Sequence, residues 1–112
     1  MPITENQYQH LIDNIQQMIE DTLDQSGLDL DIDSRDGVLS IVFDNDVSLI
    51  MSRQVAMRQI WVAAKSGGFH FKYSEKTGIW LTRQNELLTD TLTQLIFNET
   101  NKKLEFFLMS NK

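Results

Sequence analysis

The chain has 112 residues, which suits a single domain, and 41% hydrophobic and 23% charged residues, the composition of an ordinary globular protein. Ten Lys and Arg against 16 Asp and Glu give a net charge of −6, which argues against nucleic acid and anionic membranes as partners, because both attract basic surfaces. The absence of cysteine excludes disulfides, thiolate metal sites and cysteine nucleophiles.

The first predicted element is an amphipathic helix over residues 4–26, whose apolar residues recur at the spacing of one buried face. Thr4 and Gln7 fit a capping box at its start, and Gly27 is a natural helix terminator. No apolar run reaches the roughly 18 residues of a membrane-spanning helix. The first residues also lack the features of a signal peptide, so we expect a cytoplasmic protein.

From residue 28 the apolar period changes to two, which predicts strands. In the first strand the apolar residues Leu28, Leu30 and Ile32 alternate with three aspartates. Further strands are predicted at about 38–44, 47–53, 57–64, 69–74 and 78–83, with a last short strand formed by Leu104, Phe106 and Leu108.

A second helix is predicted over about 86–98, with Asn85 as its cap. Short connections between successive strands favour an antiparallel sheet. The two amphipathic helices, one at each end of the strand run, can cover the same face of that sheet. The predicted fold class is therefore α+β: one domain over residues 1–112, forming a two-layer α-β sandwich of two helices on a sheet of about six to seven strands.

A hairpin of residues 57–64 and 69–74, turning at 65–68, would set Trp61 opposite Lys72 on the sheet face away from the helices. Trp61 has two open interpretations. It is a protein-binding anchor, or its ring is covered by neighbours with a cation–π contact from Lys72. His70 lies on the same predicted face and fits a structural or surface residue better than a metal ligand.

Negative charge is concentrated in the first third of the chain. Residues 1–36 hold nine acidic residues and one basic residue, whereas residues 37–112 hold seven acidic and nine basic residues. Two carboxylates about 6 Å apart repel by roughly 0.7 kcal/mol in water, or about 3 kcal/mol at an effective dielectric constant of 20, so a cation or a basic partner would relieve the repulsion. Ligand sets made only of oxygen select hard cations such as Ca²⁺, Mg²⁺, Mn²⁺ and Fe³⁺, and also accept Fe²⁺. The alternative is a pair of ordinary solvated faces.

Helix and strand spacing place these acids in one predicted acidic ridge made of Asp13, Glu20, Asp21 and Asp24 on the helix and Asp29, Asp31 and Asp33 on the strand. An EF-hand is rejected, because Ser34 stands where that loop requires Gly and Ser40 where it requires Glu. Phosphate-binding loops and the common hydrolase motifs are absent from the sequence, so an ordinary hydrolase or nucleotide-dependent enzyme is not expected.

Several sequence features together resemble the frataxin family, specifically its bacterial branch, over nearly the whole chain. The most specific segments are Arg53-Gln54, Gln59-Ile60-Trp61 and Gly67-Gly68-Phe69-His70-Phe71, joined by Trp80 and by the Asp29-x-Asp31-x-Asp33 pattern before Gly37-Val38-Leu39. The sequence departs from the family pattern at Ser52, where Asn is usual, and at Val55-Ala56, which lack the common Pro.

The resemblance implies an α-β sandwich that binds iron and takes part in iron–sulfur cluster assembly. It implies Fe²⁺ or Fe³⁺ bound weakly at surface carboxylates, where Co²⁺, Mn²⁺ or Ca²⁺ would substitute. It implies a cysteine desulfurase and an iron–sulfur scaffold as partners, with the protein as an iron-dependent regulator or iron donor and not as an enzyme. The implied metal ligands are Glu20, Asp21, Asp24, Asp29, Asp31 and Asp33, with Asp13 and His10 as less secure additions; the implied partner contacts are Glu20, Asp24, Asp29, Asp31, Arg53, Gln59 and Trp61.

Two other functions remain open at this point. One is ferroxidase or iron-storage activity, which needs closely spaced carboxylate-bridged sites. The other is an acidic interaction module that does not use metal. In every case the expected protein is a cytoplasmic bacterial monomer without nucleic-acid or membrane partners, and the resemblance leaves iron-driven oligomers open.

Overall fold

The computed structural model describes residues 3–106. The elements follow in the order α1 (Glu5–Gln25), β1 (Leu30–Arg35), β2 (Val38–Phe43), β3 (Ser48–Gln54), β4 (Gln59–Ala64), β5 (Gly67–Ser74), β6 (Ile79–Leu81) and α2 (Leu88–Thr100). One 3-10 turn, Val55–Met57, leads into β4. The helices and the first six predicted strands therefore all exist close to their predicted positions.

The strands form one antiparallel sheet in the order β1-β2-β3-β4-β5-β6, so each strand pairs with its neighbours along the chain. Alternate strand residues and the apolar stripes of α1 and α2 share a single buried core. The predicted two-layer α-β sandwich is confirmed, with six strands in the sheet. Neither helix of the described part is long and apolar enough to cross a bilayer.

The first helix is fixed at its start and along its length. The Thr4 hydroxyl accepts the Gln7 amide at 3.1 Å, and the Gln7 side chain accepts the Thr4 amide at 2.9 Å, so the predicted capping box is formed. Tyr8, four residues after Thr4, is fully buried and donates its hydroxyl to the Gln59 carbonyl of β4 at 2.6 Å. Burial raises the pKa of Tyr8, because it disfavours the phenolate. The amino-terminal part of α1 is thereby bonded to the centre of the sheet.

The predicted hairpin register is wrong by two residues. β4 and β5 turn at Lys65 and Ser66 alone, so Trp61 pairs with His70 instead of Lys72. The sequence Gly67-Gly68 suggests turn residues, but both belong to β5, with Gly67 at a φ of 144°. Because the shift is two residues, every side chain keeps its predicted face.

Three predicted boundaries also need correction. Asn85 does not cap α2: it has a φ of 65° inside the preceding loop, and Leu87 is the N-cap residue without a side-chain bond. Leu104 and Phe106 are buried, but they lie in irregular chain and not in a strand, while Leu108 falls outside the described residues. The first strand begins at Leu30, so Asp29 belongs to the preceding loop.

Candidate functional site

Arg53, at the end of β3, connects the sheet to α1. Its guanidinium donates to Asp13 at 2.6 Å, to Gln9 at 2.6 Å and to Gln16 at 3.3 Å. The Arg53 side chain is 19% exposed, whereas that of Asp13 is 62% exposed. Asp13 is therefore already neutralised by an arginine, which makes it a weaker candidate for a metal ligand than an unpaired carboxylate.

Gln16 is a buried polar residue that extends this network. Its side-chain amide donates to Ser34 of β1 at 2.7 Å and to Glu20 at 3.0 Å, while its carbonyl accepts from Arg53. The sequence interpretation overlooked it. The available signal was its place between the inward-facing residues Ile15 and Ile19, because a polar side chain on a buried face needs partners.

The carboxyl-terminal half of α1 carries the helical acids. Glu20 is half-buried beside the Gln16 amide, and exposed Asp21 accepts from the Gln17 amide at 3.0 Å. Asp24 is exposed in the last turn of the helix, which contains no basic residue. Carboxylates near a helix carboxyl terminus oppose the helix dipole, so this end of α1 favours a bound cation.

The acids of the first strand project from the other side of the sheet. Ile32 packs on the core under the helices, so its neighbours Asp31 and Asp33 point to the open face, and Asp29 precedes them in the loop. Asp33 forms an exposed ion pair with Arg35 at 3.3 Å. Within residues 3–106, Asp29 and Asp31 form neither an ion pair nor a side-chain hydrogen bond, as is also true of Asp24.

The predicted ridge is thus two rows of carboxylates that flank edge strand β1. We call these rows the acidic edge; its members are Glu20, Asp21, Asp24, Asp29, Asp31 and Asp33. In the described part of the chain no three acidic or histidine side chains converge on one point. The acidic edge offers single carboxylates, open to water, rather than a closed cage. His10 is exposed and contacts none of these acids through a hydrogen bond.

The open sheet face carries the predicted aromatic residue. The rings of Trp61 and His70 stack with centroids 4.2 Å apart and an angle of 11° between planes, and the Trp61 indole donates to the Gln59 side chain at 2.6 Å. Trp61 is half-buried by these neighbours, so its ring is held in one orientation. Gln59 and Trp61 do lie together, but Arg53 points to α1 on the opposite face of the sheet.

Two helices on one face of a six-stranded meander, with an acidic edge and a fixed tryptophan on the open face, define a frataxin-like protein. The family model described as Frataxin-like domain matches residues 1–105, and the chain belongs to that family. The chain is 45% identical over 107 residues to the iron-sulfur cluster assembly protein CyaY of Pseudomonas putida strain W619, covering 95% of this chain and 97% of that protein. It is 44% identical, with the same coverage, to the protein of that name from Stutzerimonas stutzeri strain A1501.

Solved structures agree on the fold. Frataxin from Psychromonas ingrahamii, described as a member of the CyaY protein family, matches with a TM-score of 0.86 and 28% identity over 94% of this chain and 99% of its own. Trimeric frataxin from the yeast Saccharomyces cerevisiae, complexed with ferrous, matches with a TM-score of 0.56 and 24% identity over 91% of this chain and 90% of its own. At that identity the yeast protein supports the fold alone.

Proposed function

We propose that this protein binds iron at its acidic edge and takes part in iron–sulfur cluster assembly as an iron-dependent regulator of, or iron donor to, a cysteine desulfurase and its scaffold. The relatives at 44–45% identity are named iron–sulfur cluster assembly proteins, which supports the assembly role. The observation that carries the iron proposal is the set of exposed carboxylates without partners, Asp24, Asp29 and Asp31, within the described residues.

These oxygen donors suit iron in both oxidation states, and Co²⁺, Mn²⁺ or Ca²⁺ would substitute. Each ion would be held by one or two carboxylates and would keep most of its water, so binding is weak and exchange is fast. Asp24, Asp29 and Asp31 are the first ligands in this proposal, followed by Glu20 and Asp21, whose carboxylates each accept one amide hydrogen bond. Asp13, Asp33 and His10 are secondary, since the first two are paired with arginines.

The same negative surface would dock on a basic surface of the desulfurase, because complementary charge steers association. Glu20, Asp24, Asp29 and Asp31 are the proposed contacts. On the open face, Gln59 and the rigid Trp61 ring form a second contact for the scaffold, since an oriented aromatic ring binds with little loss of side-chain entropy. Arg53 would act through Asp13 and α1, not through that face.

Amide NMR titration tests the metal site. We expect anaerobic Fe²⁺, or Co²⁺ as a stable substitute, to broaden resonances of residues 13–36 only. The double variant Asp29→Asn/Asp31→Asn should lose the broadening around β1. The matched control is Asp44→Asn/Asp46→Asn, which neutralises two exposed acids at the same spacing in the β2–β3 turn. Broadening that is unchanged in the first variant, or absent at millimolar metal, would contradict the iron site.

Desulfurase binding is measured separately, by calorimetry with the same two variants. We expect the Asp29→Asn/Asp31→Asn variant to bind the desulfurase more weakly, with an affinity that depends less on salt. The control variant should bind like the unmodified protein. If the protein is instead an interaction module that does not use metal, the Asp29→Asn/Asp31→Asn variant should lose desulfurase binding, and metal should have no effect on either variant. Fe²⁺ oxidation well above the air-oxidation blank would contradict the non-enzymatic role and favour a ferroxidase. The proposed setting is the bacterial cytoplasm, with the protein as a monomer.

A further inference from the structure

The open face of the sheet changes charge from one edge to the other. Asp31 and Asp33 lie at the β1 edge, and β2, β3 and β4 place only neutral side chains on this face. His70 and Lys72 project from β5, and Arg83 follows in the loop after β6. Five strand spacings separate β1 from β6, about 24 Å of sheet, which exceeds the screening length of roughly 8–10 Å at physiological salt. The acidic edge therefore does not neutralise the basic side of this face.

A groove of about 420 Å³ lies on this basic side, over the paired ends of β5 and β6 and the loop that follows them. Its lining includes His70, Lys72 and Arg83, and no aspartate or glutamate of the described chain lines it. Within residues 3–106 these three basic side chains form neither an ion pair nor a hydrogen bond. The groove therefore carries positive charge that has no partner in the described part of the chain.

Neutral side chains in the lining are held as hydrogen-bond donors. The Trp61 indole donates to the side-chain oxygen of Gln59 at 2.6 Å, which leaves the Gln59 amide nitrogen free to donate. The Ser74 hydroxyl accepts from Thr77 at 2.8 Å, so its own proton is also free. Trp61 stacks on His70 with ring centroids 4.2 Å apart and so holds the imidazole in place. A set of N–H and O–H groups beside positive charge is complementary to anionic oxygens.

The loop after β6 keeps its own acid on the helix side. The Thr82 hydroxyl donates to the Glu86 carboxylate at 3.2 Å and accepts the Glu86 amide at 3.1 Å. Glu86 lines a separate groove against α2, and Asn85, with a φ of 65°, lies between the two grooves and lines both. Glu75, in the turn between β5 and β6, does not line the basic groove either. The acids nearest in sequence thus leave its charge intact.

We propose that this groove binds a small molecule with two or more negative oxygens, either a phosphate monoester or a polycarboxylate. Lys72 and Arg83 would supply the charge, and Gln59 and Ser74 would donate neutral hydrogen bonds. The volume falls within the range of about 300–1,000 Å³ for small-molecule pockets. A long polyanion is disfavoured, because the chain carries a net charge of −6 and would repel whatever extends beyond the groove. This inference goes beyond the proposed function and uses no residue of the acidic edge.

Amide NMR titration of the metal-free protein tests the groove, with inorganic phosphate and citrate as separate probes at constant ionic strength. We expect saturable shifts at His70, Lys72 and residues 83–85 at millimolar probe, and much smaller shifts with the singly charged acetate. Saturation by either probe supports the proposal, and the tighter one identifies the ligand class. Equal shifts with acetate, or no saturable shift with either probe, would overturn it. Binding of a glutamate hexapeptide but of neither small anion would also overturn it, by assigning the groove to an acidic protein segment.

Charge removal tests the assigned contacts. Lys72→Met and Arg83→Met should each weaken phosphate binding about ten-fold, the effect of one positive charge about 6 Å from a dianion in water. The control Lys65→Met removes the same charge from an exposed lysine at the opposite end of β5, outside the groove, and should change the affinity less than about two-fold. Equal affinities for the three variants would overturn the assigned contacts. All three side chains are exposed, and circular dichroism checks that each variant remains folded.

Discussion

Removing the guanidinium of Arg53 should cost about twice the stability that its ion pair alone contributes. The change Arg53→Met keeps the aliphatic stem, whose Cδ lies 3.5 Å from where a Cβ on Gly37 would stand. It removes three donated bonds to α1. The exposed Asp13 carboxylate is rehydrated at little cost, so that pair contributes at most about 1 kcal/mol. Buried Gln16 loses a partner it cannot replace with water, which costs a further 1 kcal/mol or so.

We therefore expect a loss of about 2 kcal/mol in the free energy of unfolding, and a thermal unfolding midpoint lower by roughly 8 °C. The free energy is measured by urea unfolding with tryptophan fluorescence as the signal. Arg35→Met is the matched control, because that arginine makes an ion pair whose partners are 76% and 60% exposed, and it should cost less than about 0.5 kcal/mol. Equal losses for the two variants would refute the idea that Arg53 fastens α1 to the sheet. A double variant with Asp13→Asn should be less destabilised than the sum of its parts.

Two further predictions concern α1. Thr4→Ala removes half of the capping box and should lower the free energy of unfolding, measured in urea, by about 1 kcal/mol. The control Thr77→Ala, in an exposed turn, should lower it much less. Equal losses would contradict a stabilising cap. Because the pKa of Tyr8 is raised in the folded protein above its ordinary value of 10.0, the stability this group confers is complete below pH 10 and falls as pH rises through the folded pKa. Tyr8→Phe should lower stability at pH 7 by about 1 kcal/mol through the lost bond to Gln59, and should flatten the alkaline decline; an unchanged decline would rule out Tyr8 as its source.

Local signals in the sequence were sufficient for the elements and the fold class. The capping box placed the start of α1 within a residue, because its two bonds join residues only three apart. The alternation around Ile32 placed the acids on the correct face of β1. Connections as short as the two-residue turn at Lys65 and Ser66 require antiparallel pairing, so the meander followed directly.

Bonds inside an irregular loop and contacts between distant segments were both beyond that reasoning. Asn85 is a good capping residue by type. In the structure, however, the Thr82 hydroxyl accepts the Glu86 amide within the loop, and α2 begins only at Leu88. The family resemblance grouped Arg53 with Trp61, whereas the pairing of Arg53 with Ile60 turns its side chain to the helix side. The pairing of Asp13 with Arg53 was likewise not visible from sequence spacing, because the two residues are 40 positions apart.

The meander also orders the events of folding. Each strand pairs with its chain neighbour, so the sheet can grow by successive hairpins with short loop closures. The bonds that fasten α1 join residues 40 positions apart at Asp13 and Arg53 and 51 apart at Tyr8 and Gln59. Closing α1 over the sheet is therefore the non-local step and should come late. Weakening these bonds would then speed unfolding more than it slows folding, so the lifetime of the native state depends on how firmly the first helix is held.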